Sequence, residues 1–262
     1  MLRVLISRRW LAAFAVALAF AVAAFFLGRW QWHRYEAKAA RADRINAHYD
    51  ARPRALSDVL GSSPLPLAAD WTRVTTHGRY AVNETLLVRN RPLDSTYGYE
   101  VIVPLVTDAG VVMVDRGWVA NAQNAETLPD YPAAPTDDVT VTGWLRQGEP
   151  SLSRNLPQGQ VASISLADAS RALGRPLMGG YVILQSERLA DGSTPARPTP
   201  LAAPDTDLGP HQAYAFQWWF GMAAGFALVF LGARREYLDG EPESVKSARK
   251  PAKVRIWDEE DG

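Results

Sequence analysis

Two long uncharged runs bracket a stretch of alternating pattern. Residues 10–28 read WLAAFAVALAFAVAAFFLG and residues 213–233 read AYAFQWWFGMAAGFALVFLGA. Each is about the 20 residues a helix needs to cross the roughly 30 Å hydrocarbon core of a bilayer. Neither has the polar stripe of a helix on a soluble surface, and Gln217 is the only strongly polar side chain in the second run. Ala21 and Ala23 give an A-x-A pattern that a cleaved signal peptide would also show. The apolar run nevertheless continues through Phe25, Phe26 and Leu27, where such a peptide turns polar. Both runs are expected to be transmembrane helices.

Between them the pattern changes twice. Residues 30–48 contain helix formers and no Pro or Gly, so the first span is predicted to continue as helix, stopping at Pro53 at the latest. Beyond the Pro-rich residues 64–66, short β-branched runs follow at 72–80, 85–90, 99–107, 111–119, 139–145 and 181–186. Asp108-Ala109-Gly110 between two of these predicts a hairpin. Ser165 with Asp168 predicts a capped helix to Leu173, with Gly174 as its stop. Residues 195–204 form a Pro-rich linker.

The expected fold class is an α+β membrane protein, two transmembrane helices flanking a largely antiparallel β-sheet or barrel in an extracytoplasmic domain. The expected organisation is a cytoplasmic N-terminus at 1–9, spans at 10–28 and 213–233, a β-rich extracytoplasmic domain at 29–212, and a cytoplasmic, disordered tail at 234–262. Arg3, Arg8 and Arg9 precede the first span, and Arg234, Arg235, Lys246, Arg249 and Lys250 follow the second. The positive-inside rule therefore puts both ends in the cytoplasm. Arg29, Arg34, Lys38, Arg41 and Arg44 count the other way, but they belong to a long connection, where that rule weakens.

Composition narrows the chemistry. Lys plus Arg and Asp plus Glu each number 28, and the resulting zero net charge argues against a nucleic-acid partner. There is no cysteine, so disulfides and thiolate nucleophiles are excluded. The sequence has no G-x-S-x-G elbow, phosphate loop or H-E-x-x-H, and its four methionines are dispersed. No catalytic residue is assigned and no enzyme activity is expected.

The histidines are His33, His48, His77 and His211. His211 immediately precedes the second run. His33 lies about 9 Å of helix beyond Leu27, so antiparallel spans bring both to one membrane face. An imidazole at such a boundary can ligate haem iron. Trp30, Trp32, Tyr214, Trp218 and Trp219 offer apolar faces for a macrocycle. Arg34, Lys38 and Arg41, at i, i+4 and i+7, offer cations for its propionates. The same aromatics also make an ordinary interfacial belt, and the same cations touch lipid headgroups. Spacing alone leaves both readings open. His48 and His77 read as structural or solvent-facing, and Arg116-Gly117-Trp118 as a sheet-edge packing motif whose Gly permits close backbone approach.

Several motifs together resemble one family. Leu27-Gly28-Arg29-Trp30-Gln31-Trp32-His33-Arg34 with Lys38 is similar to L-G-x-W-Q-x-x-R-x-x-x-K of the Surfeit locus protein 1 family. Val74, Gly78, Arg79 and Tyr80 resemble its R-V-x-x-x-G-x-[YF] strand. Arg91, Gly98, Tyr99, Val101 and Pro104 fall where its R…G-x-x-V-x-x-P-L stretch belongs. Val114-Asp115-Arg116-Gly117-Trp118-Val119 resembles V-N-R-G-W-V, with Asp115 in place of Asn. Gly143, Leu145, Arg146, Asn155 and Pro157 follow in order, and His211, Tyr214 and Trp218 match H-x-x-Y-x-x-x-W. The chain departs from the pattern where Trp219 and Phe220 displace Gly221 by one place, and where a Trp is lacking after Pro157.

The resemblance implies an assembly factor for cytochrome c oxidase, assisting haem a insertion into the catalytic subunit or that subunit's maturation. It implies His211 as the iron ligand, with Tyr214, Trp218, Trp30 and Arg34 as the surrounding cofactor-binding residues. Implied partners are the oxidase catalytic subunit, haem a synthase and membrane lipids. The implied location is the plasma (inner) membrane, multi-pass, with the large loop outside the cytoplasm. The alternative is a structural scaffold that stabilises an oxidase assembly intermediate without touching cofactor.

Overall fold

The computed structural model describes residues 1–122 and 127–240, so most of the expected tail lies outside the described residues. The chain divides into two compact units, Met1–Ala39 with Asp207 onward, and Ala40–Thr206.

The first unit is helical. A short helix α1 (Leu2–Leu5) precedes α2 (Arg8–His48), and α4 (His211–Asp239) follows the rest of the chain. Both α2 and α4 are long and apolar enough to cross a membrane. At 1.5 Å per residue α2 is about 60 Å long, twice a hydrocarbon core, and it runs on past the apolar segment as predicted. Ala17, Ala21, Ala24 and Gly28 recur at i, i+4, i+7 and i+11 and are buried, a stripe of small residues that lets another helix approach closely. On α4 the buried residues are Ala215 and Ala233.

Each end of this helix pair is keyed by a tryptophan lying on a glycine. A Cβ at Gly28 would run into the Trp219 indole, and one at Gly232 would lie 2.5 Å from Trp10 Cη2. Phe14 and Phe226 meet at 5.6 Å, and the Trp10 Nε1–H donates to Glu236 Oε2 at 3.0 Å. Apolar side chains such as Phe26, Phe220 and Leu228 point outward. Such exposure is costly in water and neutral in lipid.

The second unit is a β-barrel with additions. Its strands are β1 (Arg54–Ala55), β2 (Arg73–Tyr80), β3 (Leu86–Leu93), β4 (Thr96–Thr107), β5 (Gly110–Ala120), β6 (Val139–Arg146), β7 (Gln160–Val161) and β8 (Tyr181–Leu189). Five of them close in the order β2-β6-β8-β5-β4, sealed by the pairing of β4 back onto β2. Closure leaves only the two-residue strands β1 and β7 at the ends of the sheet, short edges on which other chains pair poorly. Four of the five junctions are antiparallel and the β5–β8 junction is parallel, so the barrel is mixed. The predicted hairpin is present with Gly110 opposite Thr107.

Period-2 alternation turns Val74, Val101, Val103, Leu105, Val112, Val114, Val139, Val141, Leu145, Val182 and Leu184 into the barrel. A second apolar cluster lies on the other side of the sheet, where Ile102, Met113 and Tyr181 pack under Val161, Ile164 and Ala169. Ala169 belongs to helix α3 (Leu166–Leu173), capped as the sequence predicts. The Ser165 side chain accepts from the Asp168 N–H, and Gly174 ends the helix in the left-handed region at φ 64°.

Candidate functional site

His211 is the first residue of α4. Gly209, at φ 63°, and Pro210 turn the chain into that helix, and the Asp207 carboxylate accepts from the Gly209 N–H at 3.0 Å. The ring is half-buried, and its Nδ1 lies 2.9 Å from Oε1 of Gln31 on α2. Next to this pair in sequence, three aromatic rings form a cluster. Trp32 and Trp219 stand 5.9 Å apart, Trp32 and Phe216 6.0 Å, and Phe216 and Trp219 5.9 Å. Lys38 Nζ donates to the Asp207 carbonyl at 3.3 Å and so brings a cation to the turn ahead of His211.

The other sequence candidates sit as follows. Trp30 and Arg34 pair with each other, the guanidinium 5.3 Å from the ring centroid, and both are exposed. At about 100° per residue, Trp30 points roughly 160° away from buried Gly28, so this pair is not gathered around His211. Tyr214 is exposed and Trp218 half-buried. Both lie within about 60° of His211 around the helix. His33 is engaged at both ring nitrogens, with Arg29 at 3.1 Å and Glu36 at 3.2 Å, and its side chain is 61% exposed. His48 bonds the Asp70 carbonyl, and His77 stands on the barrel surface.

The residues here include one half-buried imidazole with its Nδ1 occupied, aromatic rings next to it in sequence, and Lys38 at the preceding turn, side-chain types that a haem would use. Two contributors were not singled out from the sequence. Gln31 stood in a quoted motif without a role, and Phe216 stood in an apolar run with nothing to distinguish it. Among the described residues, no group of three or more His, Cys, Asp and Glu side chains could hold a metal ion by itself.

The barrel unit holds a second polar assembly, built on residues 115–118. Arg116 points into the barrel, where its Nη2 lies 2.5 Å from Glu187 Oε1 and its Nε 3.3 Å from Oε2. Both side chains are fully buried, and the Tyr80 hydroxyl donates to Glu187 at 2.8 Å. Burial first, and the Glu187 carboxylate second, push the Tyr80 hydroxyl well above its ordinary pKa. Arg116 also donates to the carbonyls of Pro132 at 3.0 Å and Ala196 at 2.9 Å. Gly117, at φ 133°, lies against the Thr199 carbonyl, where a Cβ would collide. Trp118 and Thr199 exchange both backbone hydrogen bonds. The motif read as sheet-edge packing thus packs against the chain's own 196–199 linker.

Asp115 points to the opposite face. Its Oδ1 accepts from the Gly117 N–H at 3.1 Å, while Oδ2 is buried without a partner among the described residues. Nearby, Arg91 bridges Glu100 at 2.9 Å and Glu149 at 2.5 Å. One guanidinium among three carboxylates leaves negative charge in excess. Burial, outweighing Arg91, raises Glu100 to about 7. Burial, together with Glu100, lifts Asp115 well above its ordinary value.

Comparison with known sequences adds to this geometry. The sequence pattern of the SURF1 family matches residues 18–224. SURF1-like proteins of Mycobacterium bovis and Mycobacterium tuberculosis, themselves described as uncharacterized, are 32% identical over 254 residues, covering 90% of this chain and 90% of theirs. A SURF1-like protein of Dictyostelium discoideum is 34% identical over 125 residues, 45% of this chain and 46% of that one.

Proposed function

Because the chain belongs to the SURF1 family, whose members are generally cytochrome oxidase assembly factors, we propose that it assists maturation of the oxidase catalytic subunit by holding haem a at His211. The observation that carries this reading is a half-buried imidazole at the start of α4 with its Nδ1 engaged by Gln31. The other ring nitrogen, Nε2, is then the one suited to iron.

Haem a, when bound, would supply an iron to be ligated, an apolar macrocycle and two propionates. The chain's own residues would receive each part. His211 would hold the iron, and Trp218 and Tyr214, on the same side of α4, with Trp32, Phe216 and Trp219 would offer the macrocycle apolar faces. Lys38 would take a propionate, while Trp30 and Arg34, which pair with each other away from His211, would sit at the lipid boundary. An aromatic and cationic surface at the end of a lipid-crossing helix pair suits a cofactor that is passed on, since it binds without enclosing it.

The proposed topology has α2 and α4 crossing the plasma membrane at 10–28 and 213–233, residues 1–9 and 234–262 in the cytoplasm, and 29–212 outside. The partners are the oxidase catalytic subunit, which would take the cofactor, and haem a synthase, which would supply it. Deleting the gene is expected to lower haem a content and activity of the oxidase while leaving enzymes that use only haem b unchanged. Unaltered oxidase spectra and activity in the deletion strain would refute the proposal.

A further inference from the structure

We propose that Gln31 is the positioning residue for His211, its amide oxygen accepting the Nδ1 proton and so fixing the ring as the tautomer whose lone pair is on Nε2. This rests on the reading of His211 as an iron ligand. A neutral imidazole carries one proton, and the nitrogen that carries it cannot bind metal. In water the ring exchanges between tautomers and rotates freely. A partner that accepts from one nitrogen removes both freedoms, and metal-binding histidines almost always have one.

The geometry supplies that partner. Oε1 of Gln31 is 2.9 Å from Nδ1, within the range of a well-formed hydrogen bond, and both side chains are half-buried. An amide is suited to this place. A carboxylate would accept more strongly but would bring a charge to the edge of the hydrocarbon, whereas Gln orients the ring at no charge.

A different residue lies beside the opposite edge of the ring. A Cβ at Gly209 would stand 3.8 Å from Nε2 and 3.7 Å from Cδ2 of His211, and 3.3 Å from Lys38 Nζ. The φ of 63° at Gly209 favours glycine at this position. Gln31 therefore holds one nitrogen, and Gly209 lies beside the other.

The test uses full-length protein, ¹⁵N-labelled at histidine, in lipid nanodiscs without haem. Long-range ¹H–¹⁵N spectra distinguish the two tautomers, and His211→Ala identifies the His211 signals. Wild type and Gln31→Glu are expected to show the Nδ1–H form, and Gln31→Leu a mixture with Nε2–H. When the protein is purified from a haem a-producing host, Gln31→Leu is expected to lose about 10- to 100-fold in haem affinity. Gln31→Glu, the stronger acceptor, should keep haem and lower the iron reduction potential. A wild-type His211 in the Nε2–H form, meaning that the amide nitrogen faces the ring, would overturn the proposal. So would a Gln31→Leu spectrum unchanged from wild type. Haem retained in full by His211→Ala, with the tautomer pattern as expected, would instead remove the ligand assignment and leave the hold of Gln31 on the ring standing.

Discussion

Replacing Glu187 by Ala strands the Arg116 guanidinium inside the barrel. Both side chains are fully buried, and the lost contacts are those of Nη2 to Oε1 at 2.5 Å and Nε to Oε2 at 3.3 Å. The bonds to Pro132 and Ala196 remain, but they are to neutral carbonyls and do not cancel the charge. The Tyr80 hydroxyl loses its acceptor in the same step. Breaking a buried pair by deleting one partner costs about 3–5 kcal/mol. In a domain of this size each kcal/mol lowers Tm by about 2–4 °C, so a fall of roughly 6–20 °C is expected.

The assay is thermal unfolding of the full-length protein in detergent, followed by near-ultraviolet circular dichroism. Trp118, two residues from Arg116, reports on this part of the barrel. The paired replacement Arg116→Met with Glu187→Leu should be less damaging than the sum of its single changes, since no charge is left behind. A Tm for Glu187→Ala within about 2 °C of wild type, or a strictly additive pair, would refute the reasoning.

Two further outcomes follow from the same structure. Glu100, lifted from its ordinary 4.5 to about 7, keeps in the folded state a proton that the unfolded chain has given up. Its contribution to stability is therefore present below about pH 4.5 and lost as pH rises to about 7, on the order of 3 kcal/mol in all. Glu100→Gln should remove that slope and raise stability at pH 8, and melts of both proteins across this range check it. Gly28→Ala should weaken the packing of α2 on α4 by about 1–3 kcal/mol through collision with the Trp219 indole, and adding Trp219→Ala should relieve that collision. Detergent-denaturation midpoints of the single and double variants decide this.

The local features were legible because their signals are local. The two spans follow from unbroken apolar runs, the β4–β5 hairpin from Asp108-Ala109-Gly110, and α3 from Ser165, Asp168 and Gly174. A sheet or a barrel was expected, but which strands close the barrel was not legible. Closure depends on Arg79 and Tyr80 meeting Val106 and Leu105, and on Gly78 lacking the Cβ that would strike the Val106 carbonyl. The parallel β5–β8 junction is likewise a property of the closed ring. The strand expected to end at residue 186 continues through Glu187, because a charged residue reads as exposed unless its buried partner is known. Two polar residues in the candidate site illustrate the same limit. His211 could be singled out by its place at the mouth of a span, whereas Gln31 acquires a role only when folding brings it across from a point 180 residues away in sequence.

The central claim is that His211 holds haem a. An absorption spectrum of the full-length protein purified from a haem a-producing host, wild type beside His211→Ala, tests it most directly. Haem a bands in the wild type that are lost from a folded His211→Ala variant are the predicted result. Bands of equal strength in both proteins, or none in either, would contradict it.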